Sequence, residues 1–143
     1  MGSTTFSGPI KSGTVKVGAT ANVGKTVLFQ TNTIAYTDTT AKPLFYLPAN
    51  AKIIDVYVDV TTAFNSSGTD LLTVGTAADP DAFVDDADVS TTGRKLGSAN
   101  AIALANQATG VGTADIAIQG VFTQSVADAS AGAARVTVLY VQE

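Results

Sequence analysis

The chain of 143 residues contains no cysteine, no histidine and no tryptophan. Without cysteine there is no disulfide, no thiol nucleophile and no cysteine-bound zinc. The absence of histidine removes the commonest general base, the commonest metal ligand and the side chain that titrates near neutral pH. The absence of tryptophan weakens any proposal of a carbohydrate-stacking site or an aromatic cage. This composition disfavours an enzyme.

Charge is also scarce, since Asp, Glu, Lys and Arg make up only 14% of the chain. The net charge of −4 argues against nucleic acid and anionic membranes as partners. No apolar run approaches the roughly 18 residues that a membrane span requires. The first residues, MGSTTFSGPIKSG, show no hydrophobic core of a secretory signal. We therefore expect a protein without a cleaved secretory signal and without a membrane or nucleic-acid partner.

The few charges are unevenly distributed along the chain. Residues 1–52 hold five lysines and one aspartate, whereas residues 53–92 hold eight aspartates and no basic residue. Residues 93–143 hold equal numbers of both signs. The simpler interpretation is that the basic and acidic regions meet within one fold. The alternative is that they meet between neighbouring copies or against a partner.

The clearest structural signal is the alternation in residues 51–62, AKIIDVYVDVTT. Alternation with a period of two predicts a strand with one buried and one solvated face. The predicted inner residues are Ile54, Val56, Val58 and Val60, and the predicted outer residues are Asp55, Tyr57 and Asp59. Residues 114–123 and 134–142 repeat the pattern, with Ile116, Ile118, Phe122, Val136, Val138 and Tyr140 predicted inward. A sheet with one solvated face is normally antiparallel.

Shorter segments complete the predicted architecture. We expect strands at 14–19, 26–36, 42–48 and 71–76, with 42–48 at a sheet edge because prolines flank it. Between Phe29 and Ile34 the apolar positions change phase, which predicts a bulge or a change of sheet near 30–33. Turns or loops are expected at 20–25, 37–41, 48–50, 63–70, 90–95, 109–113 and 125–132. Residues 96–108 fit a strand or a short helix, and we favour the strand.

One short helix is predicted near residues 80–86. Asp79 followed by Pro80 is a typical helix start, and Asp81 adds negative charge to the first turn. Phe83 or Val84 would then contact the core, with Asp85 and Asp86 in solvent. The seven to nine strands predict an all-β antiparallel β-sandwich that resembles a jelly roll, in a single domain over residues 14–143.

Residues 1–13 are predicted to form an extended N-terminal arm. This segment is rich in Gly, Ser and Thr and contains Pro9, which lacks a backbone donor. It is either a frayed end or an arm ordered against a neighbouring molecule. Aromatic and apolar side chains dominate interface cores. The predicted interface residues are Phe6, Pro9, Ile10, Leu44, Phe45, Tyr57 and Phe64.

Motifs for catalysis or metal binding are weak. The aspartates between Asp79 and Asp88 do not follow the calcium-loop spacing of an EF-hand, so a solvated loop is favoured over a cation site. Asp55 and Asp59, four residues apart on one strand, would lie roughly 13 Å apart, too far for either glycosidase geometry. Gly24-Lys25-Thr26 is similar to the end of a phosphate-binding loop, but Ala19 stands where that motif needs glycine. We predict no catalytic residue, no metal and no cofactor.

Residues 47–95 resemble a group of small virion proteins of tailed bacteriophages. The resemblance depends on Pro-Ala-Asn-Ala-Lys at 48–52, on the alternating strand that follows, and on L-x-V-G-T-x-x-D-P-D-x-F at 72–83. The N-terminal FSGPIKSG is similar to the start of such proteins. The group includes capsid decoration (cement) proteins and head-fibre or tail-associated surface proteins. The resemblance implies a β-sandwich subunit, usually a homotrimer, made in the host cytoplasm and bound to the outer face of an icosahedral shell.

Three hypotheses follow. The first is a capsid decoration protein that self-associates, binds the major capsid protein and stabilises the shell. The second is a fibre or receptor-binding module that recognises host glycan through loops such as 63–70. The third is an enzyme, which the missing histidine and cysteine disfavour.

Overall fold

The computed structural model describes residues 11–17, 20–96, 111–126 and 128–142, with side chains from Lys25 onward. These residues form ten strands and no helix. The strands are β1 (Lys11–Val17), β2 (Thr20–Lys25), β3 (Leu28–Ala35), β4 (Lys42–Leu47), β5 (Lys52–Thr62), β6 (Asp70–Gly75), β7 (Val84–Asp88), β8 (Gly93–Leu96), β9 (Ile116–Gln124) and β10 (Ala133–Val141).

Strands β3 to β10 form two four-stranded antiparallel sheets. Sheet I has the order β3-β10-β5-β8, and sheet II has the order β4-β9-β6-β7. The two sheets pack face to face as a β-sandwich, and this strand order is that of a jelly roll. The predicted all-β, jelly-roll-like sandwich is confirmed. Strands β1 and β2 pair with each other as a separate two-stranded sheet.

The core lies between the sheets, where β-branched and aromatic side chains from alternate strand positions meet. In β9 and β10 the predicted inner residues Ile118, Phe122, Val136, Val138 and Tyr140 are buried, and Ile116 at the start of β9 is partly buried. The rings of Phe64 and Phe122 lie 4.5 Å apart between centroids in a tilted arrangement. The alternation in these two strands therefore predicted the buried face correctly.

The inner face of β5 differs from the prediction at the start of the strand. Ile54 is 39% exposed, whereas Ile53 is only 1% exposed. Leu139 pairs with Asp55, but the next residue, Tyr140, pairs with Ile53, so β5 has one extra residue at Ile54. This β-bulge turns Ile54 outward and places Ile53 in the core. The predicted burial of Val56, Val58 and Val60 is confirmed.

The predicted bulge in β3 is wrong. Its register with β10 is continuous from Leu28 to Ala35. Phe29 is 71% exposed and Val27 is 50% exposed, while Ile34 is fully buried. The change of phase in the sequence therefore reflects apolar side chains on the solvated face.

The predicted helix at 80–86 is also wrong. Asp79 and Pro80 lie in a turn between β6 and β7, in which Thr76 N donates to Asp79 O at 2.7 Å. Phe83 N donates to Val74 O at 2.9 Å, so the chain returns to pair with β6 instead of coiling. Aspartate and proline suit both a helix start and a tight turn, and the pairing with β6 decides between them. As predicted, Phe83 and Val84 are buried and the aspartates that follow are exposed.

Two predicted loops are strands. Residues 20–25 form β2, because pairing with β1 outweighs the turn preference of Asn22 and Gly24. Within 90–95, the segment from Gly93 joins β8 and pairs with β5. The turn at 48–50 is confirmed, with Ala51 N donating to Pro48 O at 3.1 Å and Asn50 at φ 61°. Most of the segment predicted at 96–108 lies outside the described residues.

Candidate interaction surfaces

The outer face of sheet I carries side chains in rows that cross its strands, because paired residues of neighbouring strands share a face. One row joins Phe29, Leu139 and Asp55, and the next joins Thr31, Thr137, Tyr57 and Leu96. A third row joins Thr33, Arg135, Asp59 and Arg94. The hydroxyls of Thr31 and Thr137 lie 3.1 Å apart, which satisfies the buried Thr137 between its neighbours.

This face carries exposed and partly exposed apolar side chains that we call the outer patch, formed by Phe29, Tyr57, Leu96 and Leu139. Phe29 is 71% exposed and Leu96 is 70% exposed, on strands at the two edges of the sheet. Leu139 and Tyr57, both partly exposed, lie between them. Large apolar side chains exposed together on one face of a sheet are typical of an interaction site. The change of phase in 26–36 was the sequence signal for Phe29, and the prediction missed Leu96.

An ion network borders the outer patch. Arg94 holds Asp59 with two hydrogen bonds, Nε to Oδ1 at 2.7 Å and Nη2 to Oδ2 at 3.0 Å. Arg135 lies 3.7 Å from the same carboxylate, and the Arg94 guanidinium stacks 4.0 Å over the ring of Tyr57. The hydrogen bond from Arg94 is the main reason that the pKa of Asp59 lies below its usual value. This network fixes the orientation of the Tyr57 ring.

The edges of the sandwich differ from one another. At one side, side chains of β3 cover the edge of β4: Gln30 Nε2 donates to Tyr46 O at 3.1 Å, and Asn32 Nδ2 donates to Leu44 O at 2.8 Å. Lys42 Nζ reaches back to Thr33 O at 3.0 Å. These bonds occupy carbonyl groups that an added strand would need. The predicted apolar edge strand is thus an edge, but one already covered.

At the opposite side, the edge strand β7 is acidic. Asp85, Asp86 and Asp88 are exposed, and Asp86 has φ 43° in a bulge where β7 has one residue more than β6. Hydrogen bonds from Ser90 lower the pKa of Asp88. In the preceding turn, a hydrogen bond shared with Asp81 raises the pKa of Asp79. Within the described ranges, no three acidic side chains are grouped so as to hold a metal ion.

The loops at one end of the sandwich are linked by side-chain hydrogen bonds. Asn65 Oδ1 accepts from the backbone N of Ser130 and of Ala131, each at 2.9 Å. A shallow cleft of ≈ 270 Å³ lies beside the 63–70 loop. Its lining is Gly68, Thr69, Asp70, Leu71, Asp88 and Ser90. This lining contains no aromatic ring for a sugar to stack on, so the cleft gives the glycan-binding hypothesis little support.

The predicted interface residues are found in different environments. Leu44, Phe45 and Phe64 are buried in the core of the chain, with exposed fractions of 6%, 3% and 2%. Tyr57 lies in the outer patch, whereas Phe6, Pro9 and Ile10 lie outside the described residues. Next to Leu44 and Phe45 in β4, Pro43 and Tyr46 are exposed, Tyr46 at 67%. An interface role for the predicted residues stays a prediction.

The described strands β3 to β10 form a jelly roll, and its candidate interaction surfaces are the outer face of sheet I, the edge strands and the loops at one end. No helix long and apolar enough to cross a membrane occurs in the part of the chain that the structure describes. No protein-family model matches the chain, and no curated protein sequence matches it.

Two solved structures contain chains with a similar fold. One is a chain of the cyanophage Pam1 capsid asymmetric unit, with 20% identity and a TM-score of 0.66 over 90% of this chain and 94% of that chain. The other is a chain of the acidic stable capsid structure of Helicobacter pylori bacteriophage KHP30, with 15% identity and a TM-score of 0.60. That alignment covers 80% of this chain and 86% of the other. At these identities the similarity shows the fold.

Proposed function

We propose that this protein is a structural subunit of a bacteriophage head, specifically a decoration (cement) subunit that binds the outer surface of the shell as a homotrimer. The observation that carries the proposal is the similarity over nearly the full length to a chain of the Pam1 capsid. Since the alignment covers 94% of that chain, the similar object is a separate small polypeptide rather than a domain of a large shell protein. The KHP30 similarity adds a second capsid with a chain of this fold.

The outer patch is the surface that we assign to contact with the major capsid protein. Its exposed side chains, Phe29 and Leu96, are about 70% accessible and sit on rigid strands, so binding buries them without ordering new backbone. The Arg94–Asp59 pair borders the patch as a polar rim. Apolar centre and polar rim are the usual anatomy of a protein interface.

The proposed mechanism is a clamp between neighbouring shell subunits. A protein that binds the assembled shell and not the free subunits stabilises the shell by mass action. A trimer makes three such contacts at once, so its binding is tighter than that of any single contact. No reacting group is needed for this activity.

Co-sedimentation tests the proposal. The purified chain is mixed with heads that lack it, and bound and free protein are separated by centrifugation. We expect saturable binding and a raised temperature of shell disruption. A chain that stays in the supernatant at concentrations well above micromolar, with the disruption temperature unchanged, would contradict the proposal.

A further inference from the structure

The β1–β2 hairpin is not part of either sheet of the sandwich. Its two strands are hydrogen-bonded to each other, and no other described strand joins their sheet. An isolated two-stranded hairpin is at best marginally stable in water. A partner that covers its free edges would therefore stabilise it.

The hairpin and the acidic edge of the sandwich carry opposite charges. Residues 11–25 contain three lysines, Lys11, Lys16 and Lys25, and no acidic residue. Residues 79–88, which include β7, contain five aspartates and no basic residue. The hairpin and the β7 edge are thus the most complementary pair of backbone edges among the described strands.

The other edges of the sandwich are poor acceptors for this hairpin. β3 and β4 cover each other through Gln30, Asn32 and Lys42. β8 carries Arg94 and Lys95, which repel a basic strand. The aspartates of β7 disfavour pairing with an acidic strand, but they favour a strand that brings lysines.

The hairpin cannot lie along its full length on the β7 edge of its own chain, because the end of β2 at Lys25 must stay close to the start of β3. Two residues, Thr26 and Val27, connect β2 to β3, and this connection spans roughly 10 Å at full extension. β3 and β7 lie at opposite sides of the sandwich, because β3 contacts β4 while β7 contacts β8. Crossing from β3 to the far edge requires three strand spacings, roughly 14 Å. The acceptor is therefore on another copy.

We propose that the β1–β2 hairpin of one copy docks along the β7 edge of a neighbouring copy, bringing its lysines to the aspartates of residues 79–88. Each copy then offers two different surfaces, a hairpin on one side and an acidic edge on the other. Such a heterologous contact closes into a ring of three when neighbouring copies are related by a threefold rotation, and this ring is the trimer of the proposed function. This inference rests on the self-association in the proposed function and is independent of shell binding.

Introduced cysteines test the contact directly, because the chain has none of its own. The full-length chain carries Asp85→Cys together with Thr14→Cys, or with Val15→Cys in a second protein, since adjacent strand residues face opposite ways. Under mild oxidation we expect disulfide-linked dimers and trimers from at least one pairing. The matched control combines the same hairpin change with Asp55→Cys on the outer face of sheet I, and stays unlinked. A link within one chain, equal linking in the control, or no link in either pairing overturns the proposal.

Charge reversal gives an independent readout. Lys11→Glu with Lys16→Glu, and separately Asp81→Lys with Asp85→Lys, are expected to weaken trimer association by roughly tenfold or more in sedimentation velocity. Combining the four changes restores the complementarity and most of the association. Trimers that are insensitive to both reversals overturn the proposal, because the aspartates then only protect the edge from aggregation. Monomers that still bind shells would contradict this inference and the homotrimer of the proposed function but not its shell binding, whereas trimers that ignore shells would contradict the shell binding alone.

Discussion

At the residue scale, Gly75 occupies a position in the segment 72–83 where the structure leaves no room for a side chain. The turn at Asp79–Pro80 folds back onto the end of β6, and a Cβ at position 75 would overlap Asp79 O and the carbonyl group of Pro80. These neighbours are backbone atoms that cannot rotate away. The glycine thus allows the turn that brings Phe83 into the core.

Gly75→Ala is therefore expected to destabilise the fold by about 1–3 kcal/mol, as overpacking of a closed site does. The free energy of unfolding in urea measures the effect. Thr73→Ala, two residues earlier on the same strand, serves as the control and should cost less than about 1 kcal/mol. Equal stability of Gly75→Ala and the unchanged protein would mean that the turn does not pack on β6 as described.

The shared hydrogen bond between Asp79 and Asp81 predicts a pH effect. Since the pKa of Asp79 is raised, its carboxyl group holds a proton more tightly in the folded state than in the unfolded state. The pair contributes stability at pH values below the unfolded value of about 3.9, and this contribution is lost as the pH rises through the raised pKa. Asp81→Asn should therefore raise the thermal midpoint slightly at pH 7, with the difference disappearing below about pH 4. Asp55→Asn controls for the change in net charge; an equal rise in this control would attribute the effect to net charge alone.

At the element scale, the covered edge of β4 makes its own prediction. Gln30→Ala with Asn32→Ala frees the carbonyls of Leu44 and Tyr46, which then can accept from an added strand. We expect light scattering and thioflavin fluorescence to rise with protein concentration. Thr33→Ala, whose side chain lies on the exposed face of the same strand, should behave like the unchanged protein. A double variant that stays monomeric at high concentration would show that these two side chains do not protect the edge.

The elements also show where sequence patterns succeed and where they fail. In β9 and β10 the apolar residues of the alternating face are buried, except that Ile116 at the start of β9 is partly buried, so the pattern and the structure largely agree. In β3 the exposed Phe29 has the same apolar character as a core residue, and alternation alone cannot tell a binding face from a buried one. The prediction of a helix start at Asp79-Pro80 was wrong because aspartate followed by proline also suits a turn. Tyr57 was expected on the surface and lies in the outer patch, but its neighbours there depend on strand pairing that no local pattern contains.

At the scale of the whole molecule, we assign shell binding and self-association to different surfaces. The outer patch lies on one broad face of the sandwich, the β7 strand forms one of its edges, and the hairpin is a separate two-stranded sheet. In the proposed assembly, contacts between the hairpin and the β7 edge link the copies and leave the broad face available to a shell. A ring of such copies presents its patches together, which is the arrangement that multivalent binding requires.

This division predicts that shell binding and stability can be separated. Phe29→Ser and Leu96→Ser remove side chains that are 71% and 70% exposed, so each should change the unfolding free energy by less than about 0.5 kcal/mol. Each should weaken shell binding by about tenfold or more in co-sedimentation, because truncating an anchor of an interface costs well over 1 kcal/mol. Val126→Ser is the matched control: Val126 is 76% exposed but lies in the β9–β10 loop, away from the outer patch. If the Val126 variant loses binding and the other two keep it, the shell contacts the loop end of the sandwich and the outer patch has another use.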